Sequence, residues 1–332
     1  MTRILVVAPS WVGDAVLTHP LLVRLKERDP GASIDVLGPP WALPVFRRMP
    51  QVAAVLTLPF GHGDLKLGER RRFGRSLAAY DQAIVLPNSF KSALVAWHAG
   101  IPLRTGYRGE FRYGLLNDVR ALDPDAVPLM AERFAALAQP RGEALRRPVP
   151  EPRLAVDTAA RDAALAKFGL VRDRPVAAFA PGAEYGPAKR WPPEHFAALA
   201  GELLARGFQV WLFGSGKDTE ATRRIVELTG GACVDLAART TLDEAIDLLS
   251  CARQVVSNDS GLMHIAAALD RPLAALFGSS SPGFTPPLSA HARVISLHLD
   301  CSPCFQRTCP LGHTNCLVQL EPARVLAALD VK

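Results

Sequence analysis

Short apolar runs separated by amphipathic stretches set the rhythm of this chain. RILVVA (3–8), SIDVLG (33–38), AAVLTLP (53–59) and QAIVLPN (82–88) have the length and character of strands. Helical segments are predicted between them, around Pro20–Arg28, Trp41–Arg48 and Arg71–Ala79, with a further amphipathic helix at Leu129–Ala138. After a helix near Thr158–Phe168 the alternation resumes. RPVAAFAPG (174–182), FQVWLFGS (208–215), ACVDLA (232–237), QVVSND (254–259) and PLAALFGS (272–279) read as strands. EPARVLAALD (321–330) reads as a terminal helix with Pro322 in its first turn. Such alternation predicts an α/β protein with parallel sheets built from βαβ units.

The pattern breaks once. PRGEALRRPVPEPR (140–153) holds four prolines and few apolar side chains, so it reads as a linker or domain edge. The 332 residues also exceed what one core usually holds. Two doubly wound, Rossmann-like domains are expected, at 1–155 and 156–320, with 321–332 as the closing helix. Two such domains facing each other would leave a cleft at the carboxyl ends of both sheets, where open α/β folds bind ligands.

Composition narrows the classes. Hydrophobic residues at 49% and charged ones at 21% describe a globular chain. The N-terminus has no secretory pattern, and no apolar stretch reaches the length that spans a bilayer, so a cytoplasmic protein is expected. A net charge of +6 favours anionic partners, or simply aids solubility.

Candidate chemistry sits where strands end. After QVV, the turn Ser257-Asn258-Asp259-Ser260-Gly261 opens a helix that contains His264. Exposed first-turn amides and the helix dipole would favour an anion there, although a plain N-cap reads the same way. After AAFA, the loop 179–192 carries Gly182, Lys189 and Arg190, cations suited to a diphosphate or to solvent. After WLF, Gly214, Ser215 and Asp218 form a third loop, whose acid could accept ribose hydroxyls. In APSWVGDAVLTHP (8–20) an acid, Asp14, follows Gly13 at what reads as a strand–helix elbow. The G-x-G-x-x-G cradle is missing there, which argues against an NAD-linked oxidoreductase.

WVGDAVLTHP, LPNSFKSAL (86–94), GIPLRTGYRGEFRYGLLND (100–118), APGAEYGPAKRWP (180–192) and SNDSGLMHIAAAL (257–269) together resemble the ADP-heptose:lipopolysaccharide heptosyltransferases, glycosyltransferase family nine. The resemblance is strongest to members that add the second inner-core heptose; addition of the first heptose is the alternative within the family. It implies the GT-B architecture, with an N-terminal acceptor domain and a C-terminal ADP-sugar domain. It also implies that the last helix can cross back to the first domain. Asp14 then corresponds to the general base, and Lys189 to the lysine that meets the donor phosphates. Gly13, Gly182, Arg190, Gly214, Ser215, Asp218, Asp259, Ser260, Gly261 and His264 fall around the donor. Transfer from a β-linked donor to an α-linked product inverts the anomeric centre, which needs a base and no covalent intermediate. No acidic pair for Mg²⁺ stands out, so cofactor-independent transfer is expected. The implied partners are ADP-heptose and a heptose-bearing Kdo₂-lipid A acceptor, met at the inner face of the cytoplasmic membrane.

Acceptor contacts are expected from the basic stretch 61–76, with Lys66, Arg70, Arg71, Arg72 and Arg75, and from Asn88, Lys91, Arg108 and Arg112. Phosphates and Kdo carboxylates would suit these cations, as would anionic lipid. One solvated helix face reads the same way. The arginines cluster in one loop and aromatics reach only 7%, so a nucleic-acid stripe is not indicated. Cys301, Cys304, Cys309 and Cys316, with His313 among them, have a spacing open to structural zinc or to reduced thiols shaping a loop.

Overall fold

Each half of the chain builds one six-stranded, wholly parallel sheet. The computed structural model describes residues 1–61 and 63–330. They divide into two units, Met1–Pro152 and Arg153 onward.

The first sheet contains β1 (Arg3–Val7), β2 (Ser33–Gly38), β3 (Ala54–Thr57), β4 (Gln82–Val85), β5 (Leu103–Tyr107) and β6 (Asp118–Arg120), in the order β3-β2-β1-β4-β5-β6. The second contains β7 (Val176–Ala180), β8 (Gln209–Leu212), β9 (Val234–Asp235), β10 (Ala252–Asn258), β11 (Leu273–Leu276) and β12 (Ala292–Ile295), in the order β12-β11-β10-β7-β8-β9. Central strands are buried on both faces: Ile4, Leu5 and Val6 in β1, and Ala177, Ala178 and Phe179 in β7, have no exposed surface. Their two-sided apolar character made them readable.

The helices of the first unit are α1 (Val12–Leu17), α2 (His19–Arg28), α3 (Leu43–Arg47), α4 (Leu67–Ser76), α5 (Phe90–His98) and α6 (Met130–Ala136). Those of the second are α7 (Thr158–Phe168), α8 (Pro193–Ala205), α9 (Thr219–Leu228), α10 (Leu242–Leu249), α11 (Gly261–Ala268), α12 (Asn315–Val318) and α13 (Pro322–Ala328).

Several elements differ from expectation, among them β12, which no apolar run had marked. The helix after β1 breaks at Thr18, whose hydroxyl donates to the Asp14 carbonyl at 2.9 Å, giving α1 and α2. Strands β5 and β6 and helix α5 lie in stretches that gave no clear period. The terminal helix α13 packs on α8, with Val325 and Leu329 in the core of the second unit.

In both sheets the strand order reverses between two neighbours, β1 and β4 in the first and β7 and β10 in the second. Those switch points are where open α/β sheets bind ligands.

Candidate active site

Two loops flank the switch point of the second sheet, and one ion pair joins them. Lys189 ends a short 3₁₀ turn, Pro187–Lys189, in the loop after β7, and Asp259 follows β10. Lys189 Nζ donates to Asp259 Oδ2 at 2.5 Å, with side-chain exposures of 17% and 6%. The neighbouring Asn258 amide locks the two loops, accepting from Trp191 N at 3.0 Å and donating to Pro181 O at 2.6 Å. An ammonium has three donors, so Lys189 keeps capacity for an incoming oxygen while Asp259 aims it.

Ser260 is the N-cap of α11, and its Oγ accepts from Met263 N at 3.4 Å. Gly261 and Leu262 follow in the first turn, whose amides have no partner within the helix. The dipole of α11 adds to the positive field beside Lys189. His264 is buried one turn further in. Burial lowers its pKa to about 4, helped by Lys189 and opposed by Asp259, so the imidazole is neutral at physiological pH.

The third loop has a role that its sequence did not reveal. Asp218 is buried; its Oδ2 accepts from Ser215 N at 2.9 Å and Ser215 Oγ at 2.8 Å, and Arg190 Nη2 reaches Oδ1 at 3.5 Å. The Asp218 carboxylate thus ties the loop to itself and to Arg190. The glycines explain themselves here. A Cβ on Gly182 would lie 2.3 Å from Asp218 Cγ, and one on Gly214 would lie 2.8 Å from Asp218 Cβ.

Asp14 occupies the third position of α1, in the first turn, where the dipole favours an anion. Trp11 is the N-cap, and its side chain makes no capping hydrogen bond. Gly13 lies inside the same turn, without positive φ, so no glycine elbow forms. The Asp14 side chain is half-buried.

The expected acceptor cations divide into two kinds. Arg70 and Arg112 are buried and hold backbone carbonyls. Arg70 donates to Leu65 O at 2.7 Å and Asp64 O at 2.8 Å, and its Cζ lies 4.3 Å from the Phe60 ring centroid. Arg112 donates to Pro87 O at 2.6 Å, to Asn88 Oδ1 at 3.2 Å and to Tyr107 O. By contrast Arg71, Arg72 and Arg75 form an exposed basic face on α4, and Arg108 is also exposed. Lys66 is exposed and pairs with Asp64 at 3.5 Å. His62, in the same loop, lies outside the described residues.

Cys301, Cys304, Cys309 and Cys316 line one small cavity with His313 and Ser279. Among the described residues, however, no group of three or more His, Cys, Asp or Glu side chains is placed to hold a metal ion. The side chains present therefore do not fit the zinc expectation. Burial and the three neighbouring cysteines push the Cys316 thiol up, and the Thr314 amide pulls Cys309 down. The cysteine loop instead braces the Lys189 loop. Arg307 O accepts from Ala188 N at 3.1 Å, Phe305 O accepts from Tyr185 OH at 2.8 Å, and the Arg307 guanidinium lies over the Tyr185 ring. Gly186 permits that approach, since a Cβ there would lie 2.4 Å from Arg307 O.

Two polar groups escaped sequence reasoning. Ser279 and Ser280 follow β11, are buried, and their hydroxyls have no hydrogen-bond partner among the described residues. The GSSS run after an apolar strand was their only signal.

Parallel sheets, loops at the switch points and a lysine–aspartate pair at one of them fit an α/β enzyme with a charged ligand. The family model described as glycosyltransferase family 9 (heptosyltransferase) matches residues 70–315, and the chain belongs to that family. It is 49% identical over 338 residues to lipopolysaccharide heptosyltransferase 2 of Salmonella typhimurium, covering 98% of this chain and 97% of that one. The Escherichia coli lipopolysaccharide heptosyltransferase 2 is also 49% identical, over 339 residues, covering 99% and 97%. The solved structure of E. coli ADP-heptose lps heptosyltransferase II superposes with a TM-score of 0.89 at 48% identity, covering 99% and 98%. The protein is thus a glycosyltransferase with the two-sheet GT-B architecture. Among the described residues no helix is long and apolar enough to cross a membrane.

Proposed function

We propose that this chain moves L-glycero-D-manno-heptose from ADP-heptose to the heptose of the lipopolysaccharide inner core, with inversion. The observation that carries the reading is the near-half identity, over almost the full length, to two proteins named lipopolysaccharide heptosyltransferase 2.

The donor diphosphate sits at the β7/β10 switch point. Lys189, aimed by Asp259, and the Gly261 and Leu262 amides receive the charge that gathers on the departing ADP. Such groups work best when fixed in advance, because no reorganisation is then needed at the moment of bond breaking. Asn258 and the cysteine loop supply that rigidity. Asp14 takes the proton of the acceptor hydroxyl as the new bond forms; a single displacement needs one such base. The scheme requires no cofactor. The exposed basic face of α4 supports contact with the phosphates of a membrane-held acceptor and with the anionic leaflet around it.

The test is transfer from ADP-heptose to Kdo₂-lipid A cores carrying zero or one heptose. Product from the one-heptose core alone is expected. Product from the heptose-free core alone would overturn the second-heptose reading, and no product from either would overturn the transfer itself.

A further inference from the structure

Four of the chain's six cysteines, Cys301, Cys304, Cys309 and Cys316, line one cavity of about 20 Å³, room for a water-sized molecule. All four are free thiols. They stand close enough for charge on Cys301, Cys304 or Cys309 to oppose ionisation of Cys316. Cys316 is buried, Cys304 and Cys309 are half-buried and Cys301 is exposed, so small solutes reach the cluster. Cys309 Sγ accepts from Thr314 N at 3.4 Å, a contact that favours the thiolate. The Ser279 hydroxyl lines the same cavity; it is 2% exposed and has no hydrogen-bond partner among the described residues.

Another wall of the cavity is Ala188, the residue before Lys189. Ala188 N donates to Arg307 O, on the stretch between Cys304 and Cys309. Tyr185 OH donates to Phe305 O on that same stretch, and Lys189 Nζ lies 5.1 Å from the centroid of the Tyr185 ring. Gly186 approaches Arg307 O so closely that no Cβ would fit between them. A shift of residues 304–309 is therefore passed to Lys189 with little slack, since packed interiors transmit strain.

We infer that this cluster is an oxidation site for hydrogen peroxide, and that closing a disulfide at Cys309 displaces Lys189. The Cys309 thiolate attacks one peroxide oxygen; the O–O bond breaks, and hydroxide leaves and takes up a proton as water. Ser279 donates to that departing oxygen. Cys309 is then a sulfenic acid, and a second thiolate of the cluster attacks its sulfur, expelling the hydroxyl as a second water. Two thiols and one peroxide thus give one disulfide and two waters, with sulfur oxidised and peroxide oxygen reduced. The S–S bond of about 2.05 Å draws in the stretch that holds Ala188 and Tyr185. The effect on turnover rests on the proposed transfer reaction; the oxidation itself does not.

The test treats the full chain with hydrogen peroxide and maps its thiols by alkylation and peptide mass spectrometry. ADP affinity by calorimetry and the rate of heptose transfer are measured on the same samples. Wild type is expected to form a disulfide between Cys309 and a second cysteine of the cluster, with Cys233 and Cys251 still free. ADP affinity and kcat should each fall on the order of tenfold to a hundredfold, the usual loss when a charged group is misplaced by about 1 Å. A dithiol reductant should restore both. Cys309→Ser, judged against its own untreated sample, should keep its ADP affinity under peroxide; the mapping and the reversal in wild type need no variant. Peroxide that leaves Cys309 free overturns the site, as does a metal ion that copurifies with the chain and shields these thiols. A disulfide with unchanged ADP affinity overturns the link to Lys189. The predicted disulfide and weakened ADP binding, in a chain that transfers no heptose before treatment, would overturn the transfer reading and leave the oxidation site standing.

Discussion

Lys189 Nζ and Asp259 Oδ2 lie 2.5 Å apart, joining two loops that the chain separates by 70 residues. The pair is mostly withdrawn from water, so each member depends on the other. Lys189→Met should lower kcat by about 10²–10³, the usual loss for one charge-stabilising donor. It should also destabilise the second unit by about 3 kcal/mol, because a buried carboxylate is left alone. Adding Asp259→Asn to Lys189→Met should recover much of that stability and none of the activity. Thermal unfolding and steady-state kinetics on the three variants separate the two effects.

His264 makes stability depend on pH. Its folded pKa, about 4, lies below the ordinary value of 6.5, so the unfolded chain binds the extra proton first as pH falls. This contribution is complete above pH 6.5 and is lost on the way down to about pH 4, at up to about 1.4 kcal/mol per pH unit. Urea unfolding at pH 7 and pH 5 should show a larger drop for wild type than for His264→Gln. Equal drops would assign the dependence elsewhere.

Arg112 and Arg71 should respond in opposite ways. Arg112→Met removes a buried guanidinium that satisfies carbonyls of Pro87 and Tyr107, and should cost about 2–4 kcal/mol of stability. Lysine should not rescue it, since a single ammonium cannot span the same fork. Arg71→Gln with Arg72→Gln should change stability by less than about 0.5 kcal/mol. It should instead raise acceptor KM at low salt, with the difference fading as salt screens the exposed charges.

Gly182→Ala tests whether the packing of the loops after β7 and β8 supports donor binding. The added Cβ meets Asp218, which cannot swing away without losing its Ser215 contacts. A lower melting temperature together with a raised ADP-heptose KM is expected; an unchanged donor KM would show that the Asp218 loop does not support donor binding.

The two sheets were legible because their central strands are apolar on both faces. β5 was not, since Arg104 interrupts it and that guanidinium is satisfied by the distant Leu115 carbonyl at 2.6 Å. The loops after β7, β8 and β10 were legible as loops after strands, and Lys189 and Asp259 were each marked individually. Their pairing was not, because it is made only when β7 and β10 lie side by side. Arg70 and Arg112 look like surface arginines in the sequence; their partners are backbone carbonyls, which leave no trace in residue identity. The contacts of Asp218 left no trace for a similar reason, as its hydrogen bonds turn back into its own loop.

The central claim is that Asp14 removes the acceptor proton during heptosyl transfer. It is tested most directly by single-turnover transfer from ADP-heptose to the one-heptose core, comparing wild type with Asp14→Asn and measuring ADP-heptose affinity beside it. The account predicts a rate lower by about 10²–10⁴ with donor affinity unchanged. Full transfer by Asp14→Asn would contradict it.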